Sequence, residues 1–147
     1  MAHVRVISGR FGGRKIDAPG YDNSRTKPMG GRIRNAVFNS IGSEVEGARV
    51  LDAFAGTGAV GLEALSRGAA FVTFVERDKI AQKILASNIA LLGCENETEI
   101  VRTSVSNWLE TAEIENYDII FADPPYHDPQ LSTAQRLFAL LKTKGLM

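Results

Sequence analysis

The chain has 147 residues, of which 44% are hydrophobic and 23% are charged. This composition is typical of one folded domain and excludes a disordered chain. The longest apolar run, residues 137–141, is far shorter than the roughly 18 residues of a membrane helix, and the N-terminus lacks the apolar stretch of a secretory signal. A single cysteine excludes an internal disulfide, and two separate histidines give no metal-ligand spacing. These features predict a cytoplasmic protein without a bound metal.

The net charge of zero conceals two regions of opposite sign. Residues 1–40 hold eight Lys and Arg against two Asp, whereas residues 41–147 hold nine against fifteen Asp and Glu. Such an asymmetry is typical of a basic arm that contacts a polyanion, joined to a body with another task. A basic tail that is merely solvated is the alternative that charge alone leaves open.

The first predicted element is a hairpin. Short alternating stretches around Val4 and Ile16 are separated by Phe11-Gly12-Gly13, a pattern typical of two strands and a turn. Pro19-Gly20 then marks a loop.

A helix is predicted next, over residues 32–41. Apolar residues recur there at helical spacing, and Gly42 is suited to end the helix. The same periodicity predicts that three polar residues face solvent: Arg32, Arg34 and Asn35.

Beyond residue 49 the chain alternates between strand and helix patterns, which predicts an α/β fold with a mostly parallel sheet and helices on both faces. Strand-like runs cover residues 50–54, 71–76, 99–102 and 118–122, and helical patterns cover residues 59–67, 79–92, 106–112 and 129–141.

The last of these strands has an unusual position. Residues 118–122 are almost wholly apolar, as in a strand buried on both faces of a sheet, yet only one helical pattern follows them. We therefore expect the C-terminal strands of the sheet to be absent. The outer edge of the strand would then favour self-association with another copy.

A glycine-rich loop follows the first strand of the alternating region. Gly56, Gly58 and Gly61 fit the G-x-G-x-x-G pattern, whose glycines allow a tight turn and close backbone approach to a ligand. Asp52, four residues earlier, disfavours an anionic pyrophosphate and suits the cationic amino-acid end of S-adenosylmethionine (SAM). Glu76 ends the next strand and is placed to accept both hydroxyls of a ribose.

A second motif, Asp123-Pro124-Pro125-Tyr126, follows the apolar strand at the edge where open α/β sheets bind ligands. A nucleobase amine is a poor nucleophile because its lone pair is delocalised into the ring. The Asp123 carboxylate and the Pro124 carbonyl could accept its two N–H bonds and localise that lone pair. Two prolines make the turn rigid, and Tyr126 offers a face on which an extruded base can stack.

These motifs occur together with the N-terminal segments VRVISGRFGGRKI and TKPMGGRIRNAVFNSI, with DAFAGTGAVGLEALSRGA and FVE, and with ADPPY. In all of them the chain resembles the RsmD-type 16S ribosomal RNA (guanine-N2)-methyltransferases, SAM-dependent enzymes with the Rossmann-like class I fold. The chain departs from the family at Gly31 and Asn35, which stand where acidic residues are usual.

The resemblance implies three groups of site residues. The catalytic group that holds the target base would be Asp123, Pro124, Pro125 and Tyr126. The residues that bind SAM would be Asp52, Phe54, Gly56, Thr57, Gly58, Glu76, Arg77 and Ser104, the last standing where Asp or Asn usually meets the adenine. The basic residues that contact RNA would be Arg5, Arg10, Arg14, Lys15, Lys27, Arg32 and Arg34.

The sequence thus predicts methyl transfer from SAM to the N2 amine of a guanine in 16S ribosomal RNA, with the partner being either the RNA itself or a small-subunit assembly intermediate. Residues 1–42 would form a basic, RNA-facing extension, and residues 43–147 a SAM-binding catalytic domain that is incomplete at its C-terminus. The alternatives are a methyltransferase for adenine-N6 in DNA or for another nucleobase amine, a nicotinamide-dependent oxidoreductase, and a non-catalytic RNA-binding remnant.

Overall fold

The computed structural model describes residues 2–18 and 30–123. The Pro19-Gly20 loop and the helix predicted over residues 129–141 lie outside these ranges. The described strands are β1 (Ala2–Arg5), β2 (Lys15–Ala18), β3 (Arg49–Asp52), β4 (Phe71–Val75), β5 (Thr98–Val101) and β6 (Ile119–Phe121), and the α-helices are α1 (Gly31–Ile41), α2 (Ala59–Ser66), α3 (Lys79–Leu92) and α4 (Val105–Leu109).

The four strands β3–β6 form one parallel sheet in the order β5-β4-β3-β6. The predicted α/β architecture is therefore confirmed. Alternate residues of β3 face opposite layers, so that Val50 packs in the core beneath α2 and α3, whereas Leu51 packs in a second core with Val105 and Leu109 of α4. Within the described ranges, no helix has the length and apolar character needed to cross a membrane.

The strand β6 lies at one edge of the described sheet. It pairs with β3, with Leu51 opposite Ile120, and its three residues are half-buried. Because β3 and β6 are parallel neighbours, the segments that follow them emerge at the same edge of the sheet.

The predicted hairpin is confirmed. β1 and β2 pair in antiparallel register, with Val4 opposite Ile16. The turn packs tightly on α2, where the Arg10 N–H donates to the Ser66 carbonyl at 2.8 Å. A Cβ atom on Gly9 would lie 2.0 Å from that carbonyl oxygen, so only glycine permits this approach. Val6 and Ile16 are buried in the same core as α2 and α3.

The predicted helix at residues 32–41 is confirmed as α1, and Gly42 ends it with a φ of 61°. Arg32 is exposed and Phe38 is buried as predicted, but the prediction is wrong for two residues, because Arg34 is only 2% exposed and Ile33 is 60% exposed. The physical reason is a buried carboxylate, Glu63 of α2, whose Oε1 lies 3.4 Å from the Arg34 Nε. This partner turns the helix so that the guanidinium points inward.

Candidate active site

The glycine-rich loop connects β3 to α2 and leaves one side open. Gly56 has a φ of 59°, and a Cβ there would meet no atom within 4 Å. Gly58 has a φ of 95°, and a Cβ there would lie 2.5 Å from the Leu85 side chain of α3. A Cβ on Gly61 would lie 2.3 Å from the ring of Phe74. The second and third glycines are therefore needed for packing, while the first borders space that a ligand can enter.

Glu76 lies directly after β4, and its carboxylate connects the glycine-rich loop to the segment that follows β4. Its Oε1 accepts the Gly56 N–H at 2.7 Å, and its Oε2 accepts the Asp78 N–H at 2.8 Å. A carboxylate has about four acceptor positions, so each oxygen keeps capacity for a further donor. Hydroxyls of a ribose are donors of that kind, and the residue's role toward a ribose stays a prediction.

Asp52 at the end of β3 is 4% exposed, and its Oδ2 accepts the Gly61 N–H at 3.0 Å. Burial away from water raises the pKa of Asp52 to about 7; the Gly61 hydrogen bond opposes this rise, and the negative charges of Glu76 and Asp123 add to it. Carboxyl groups from the ends of three strands thus lie close enough for Asp52 to be affected by the other two. Such a site attracts a cation and repels a phosphate.

The remaining predicted SAM residues surround this loop. Thr57 is buried, Phe54 is half-buried against the α4 side of the sheet, and Arg77 is exposed directly after Glu76. Ser104 precedes α4, and its Oγ accepts the Asn107 N–H at 3.1 Å as an N-cap. The hydroxyl proton of a capping serine stays able to donate to a ligand.

Of the four residues predicted to hold the base, the structure describes one. Asp123 is exposed two residues beyond β6. Because β6 pairs with β3, Asp123 emerges beside the glycine-rich loop, where its negative charge contributes to the raised pKa of Asp52. Pro124, Pro125 and Tyr126 lie outside the described residues, and their roles stay predictions.

Several basic residues of the N-terminal region bond to other parts of the chain. Arg10 forms an ion pair with Glu97 at 2.8 Å and stacks over the Phe11 ring. Arg14 donates to the carbonyl of Leu91 at 2.9 Å. These interactions fasten the hairpin to the C-terminal end of α3 and the turn that follows it.

The other predicted RNA residues differ in their surroundings. Arg5 is exposed and donates to the Gly13 carbonyl at 2.8 Å. Lys15 and Arg32 are exposed, and Lys27 lies outside the described ranges. Arg34 is the correction in this group: it was predicted to meet RNA from a solvent-facing position, but its guanidinium is buried and donates to the Arg5 carbonyl at 2.7 Å.

One side chain that the sequence analysis missed is Glu63. It is fully buried in α2, forms ion pairs with Arg34 and with Arg67 at 2.8 Å, and accepts the N–H groups of Ile7 at 2.9 Å and Ser8 at 3.1 Å. One carboxylate therefore holds both the hairpin and α1 on the body. The available signal was a lone acidic residue in the apolar segment GLEALSRGA with an arginine four positions later.

A parallel sheet with a glycine-rich loop after its first strand and acidic residues at its carboxyl edge is common to dinucleotide-binding enzymes and class I methyltransferases, and the structural neighbours identify the second of these folds. Solved structures agree: the chain superposes on yhhF from Escherichia coli, described as a candidate methyltransferase, with a TM-score of 0.79 and 32% identity, covering 93% of this chain and 72% of that one.

The sequence comparisons identify the family. Residues 4–147 match the model of the family described as Conserved hypothetical protein 95, and the chain belongs to this family. It is 42% identical over 84% of its length to the Ribosomal RNA small subunit methyltransferase D of Buchnera aphidicola, and 35% identical over 94% of its length to the protein of that name from Haemophilus influenzae. The match spans 63% of the first relative and 70% of the second. The resemblance seen in the sequence motifs is confirmed.

Proposed function

We propose that this chain forms the SAM-binding and catalytic part of an enzyme that methylates the N2 amine of a guanine in 16S ribosomal RNA. The observation that carries the proposal is the convergence of Asp52, Glu76 and Asp123 beside the open side of Gly56. SAM has a cationic sulfonium and ammonium, which suit this acidic edge. The pyrophosphate of a nicotinamide dinucleotide does not, which argues against the oxidoreductase alternative.

Residues of the described loops suit the parts of SAM. Glu76 would accept the ribose hydroxyls with the capacity left on its two oxygens, and the backbone of Gly56 would lie against the ligand. Asp52 would face the ammonium in its ionised form, which a cation favours. When bound, SAM supplies an electrophilic methyl group for transfer to an amine.

The base side of the site rests on Asp123 and on the family resemblance. The Asp123 carboxylate would accept an N–H of the guanine amine, orient its lone pair and take up its proton, directly or through water. Pro124 would add a carbonyl acceptor and Tyr126 a stacking face, as the resemblance implies. The names of the relatives and the motifs they share with this chain support guanine N2 in small-subunit ribosomal RNA as the target.

A cleft between β1 and the start of α1 supports contact with the RNA backbone. It has a volume of about 620 Å³, and Arg5, Arg32 and His3 are among the described residues that line it, whereas none of those is acidic. Asp17 lies close by, with its Oδ1 3.3 Å from the His3 Nδ1. Phosphate groups are bound in such basic clefts mainly through charge.

Two further parts of the proposal concern the cellular location and the oligomeric state of the protein. Its RNA substrate belongs to the cytoplasm. Self-association through the outer edge of β6 stays a prediction from the apolar character of residues 118–122. Light scattering at micromolar concentration tests this, and a monodisperse monomer would contradict it.

The proposal is tested by incubating the protein with methyl-labelled SAM and small ribosomal subunits or 16S RNA from cells that lack the family's enzyme. After digestion to nucleosides, the label should be found in N2-methylguanosine. Label in N6-methyladenosine would favour the adenine alternative. SAM binding without transfer to any nucleobase would favour the non-catalytic remnant.

A further inference from the structure

One side chain joins the basic hairpin to the glycine-rich loop. Asn88 lies on α3 and is fully buried. Its Oδ1 accepts the Asp17 N–H at 2.8 Å, and its Nδ2 donates to the Asp17 carbonyl and to the Thr57 carbonyl, both at 2.9 Å. The amide therefore bonds at once to β2 and to the loop that borders the candidate cofactor site.

No other arrangement of this side chain would satisfy the same groups. A primary amide has two N–H donors, and here each one has its own carbonyl. In an antiparallel pair, alternate residues direct both backbone groups away from the partner strand. Asn88 bonds both backbone groups of Asp17 as a neighbouring strand would, so it satisfies the outer edge of the hairpin at that residue.

On the other side, Asn88 fixes one peptide unit of the loop. The carbonyl of Thr57 is held by Asn88, and the N–H of the same peptide unit, from Gly58, donates to the Ala55 carbonyl at 3.0 Å. Gly58 borders this unit on one side and Gly56 precedes Thr57 on the other, and both glycines have positive φ. Glycine backbones reorient at little steric cost, so these two hydrogen bonds determine which way the peptide faces.

We infer that Asn88 is a positioning residue through which hairpin docking and SAM binding strengthen each other, an inference that rests on the proposed function. A ligand that orders the loop stabilises the Thr57 carbonyl in its present direction, and with it the Asn88 amide that holds Asp17. Coupling between two sites is reciprocal, so RNA bound to the hairpin would in turn favour the loop conformation that binds SAM.

Amide hydrogen exchange of the unaltered protein, with and without S-adenosylhomocysteine, tests this coupling. Exchange should slow at Gly56 and Gly58, and also by about tenfold at Asp17, the size expected from one buried hydrogen bond. The amide of Asp118, which donates to the Arg49 carbonyl at the opposite end of the sheet, should not change. Slowing in the loop without slowing at Asp17 would overturn the inference. No slowing at either place would contradict the proposed function, and the inference with it.

A pair of variants on α3 separates positioning from stability. Asn88→Ala should weaken S-adenosylhomocysteine binding about tenfold, whereas Leu92→Ala, which also removes a buried side chain, should leave affinity within about twofold. Equal decreases in affinity in the two variants would overturn the inference. Asn88→Asp, which keeps an acceptor for the Asp17 N–H and removes both donors, replaces Asn88→Ala if that variant does not fold.

Discussion

Charged side chains occupy two regions of this molecule in opposite ways. At the carboxyl edge of the sheet, Asp52, Glu76 and Asp123 lie near one another, and the partners seen for the first two are backbone N–H groups. Around the hairpin, by contrast, Arg10 and Arg34 are each paired with a carboxylate of the body. Like charges that gather with backbone N–H groups as their observed partners are typical of a site for a ligand, whereas paired opposite charges are typical of structure.

The largest expected effect comes from removing Asp123, the exposed carboxylate of the sheet edge. Asp123→Ala should lower methyl transfer by about a hundredfold to ten-thousandfold, because in the proposed reaction the carboxylate would orient the amine and take its proton. SAM affinity should decrease much less than transfer does, since Asp123 is exposed and, in the proposed site, Asp52 and Glu76 would make the direct contacts with SAM. Single-turnover transfer to ribosomal RNA and calorimetry with SAM measure the two quantities.

The neighbouring acid gives a matched control for that variant. Asp118→Ala removes an exposed carboxylate at the other end of β6, where it accepts the Arg49 N–H. Transfer by this variant should stay close to that of the unaltered protein. A wild-type rate in Asp123→Ala would remove the catalytic assignment.

The next largest effect belongs to the buried carboxylate that holds the hairpin and α1. Glu63→Ala leaves Arg34 and Arg67 without their carboxylate partner in the interior and should lower the free energy of unfolding by about 3–5 kcal/mol. Glu97→Ala, which removes the exposed partner of Arg10, should cost less than about 1 kcal/mol. Urea unfolding measures both. A similar cost for the two variants would mean that burial does not distinguish these ion pairs.

The same two regions show how far the sequence could predict the molecule. The order of strands and helices and the loop at Gly56 follow from periodicity and turn chemistry, which are local. The burial of Arg34 could not be predicted, because its partner Glu63 lies 29 residues away and helical periodicity assigned the arginine to the polar face. Asn88 was missed for the same reason, since nothing near it in the sequence indicates Asp17 or Thr57.

A smaller effect concerns the pH dependence of stability. The pKa of Asp52 in the folded protein, about 7, lies above its ordinary value of 3.8. Between these two pH values the folded protein keeps a proton on Asp52 that the unfolded chain has lost. The stability that this proton contributes is therefore lost as the pH rises from about 3.8 through about 7. Asp52→Asn, which keeps an oxygen for the Gly61 N–H, avoids that decrease.

The stability of Asp52→Asn minus that of the unaltered protein should therefore increase by at least about 1 kcal/mol from pH 5 to pH 8, given about 1.4 kcal/mol for each unit of pKa shift. Urea unfolding at the two pH values measures the difference. If the two proteins differ in stability by the same amount at both pH values, ionisation of Asp52 does not cause the pH dependence.

The smallest expected effect concerns the basic residues around the hairpin and the salt dependence of RNA binding. Replacing Lys15 and Arg32 by Ala should lower the slope of RNA affinity against salt by about 0.7–0.9 for each phosphate that the protein no longer neutralises. Arg34→Gln, which removes the charge at the buried position, should leave that slope unchanged. Binding of a 16S RNA fragment at several salt concentrations measures the slopes. An equal decrease in both variants would mean that burial of Arg34 does not keep it from RNA.

The central claim is that the acidic sheet edge binds SAM, and calorimetry with this chain tests it most directly. SAM should bind, NAD should not, and Glu76→Ala should weaken SAM binding by about 1.5–3 kcal/mol, the usual size of hydrogen bonds to a charged group. Binding of NAD without binding of SAM, or SAM affinity that is unchanged in Glu76→Ala, would contradict the account.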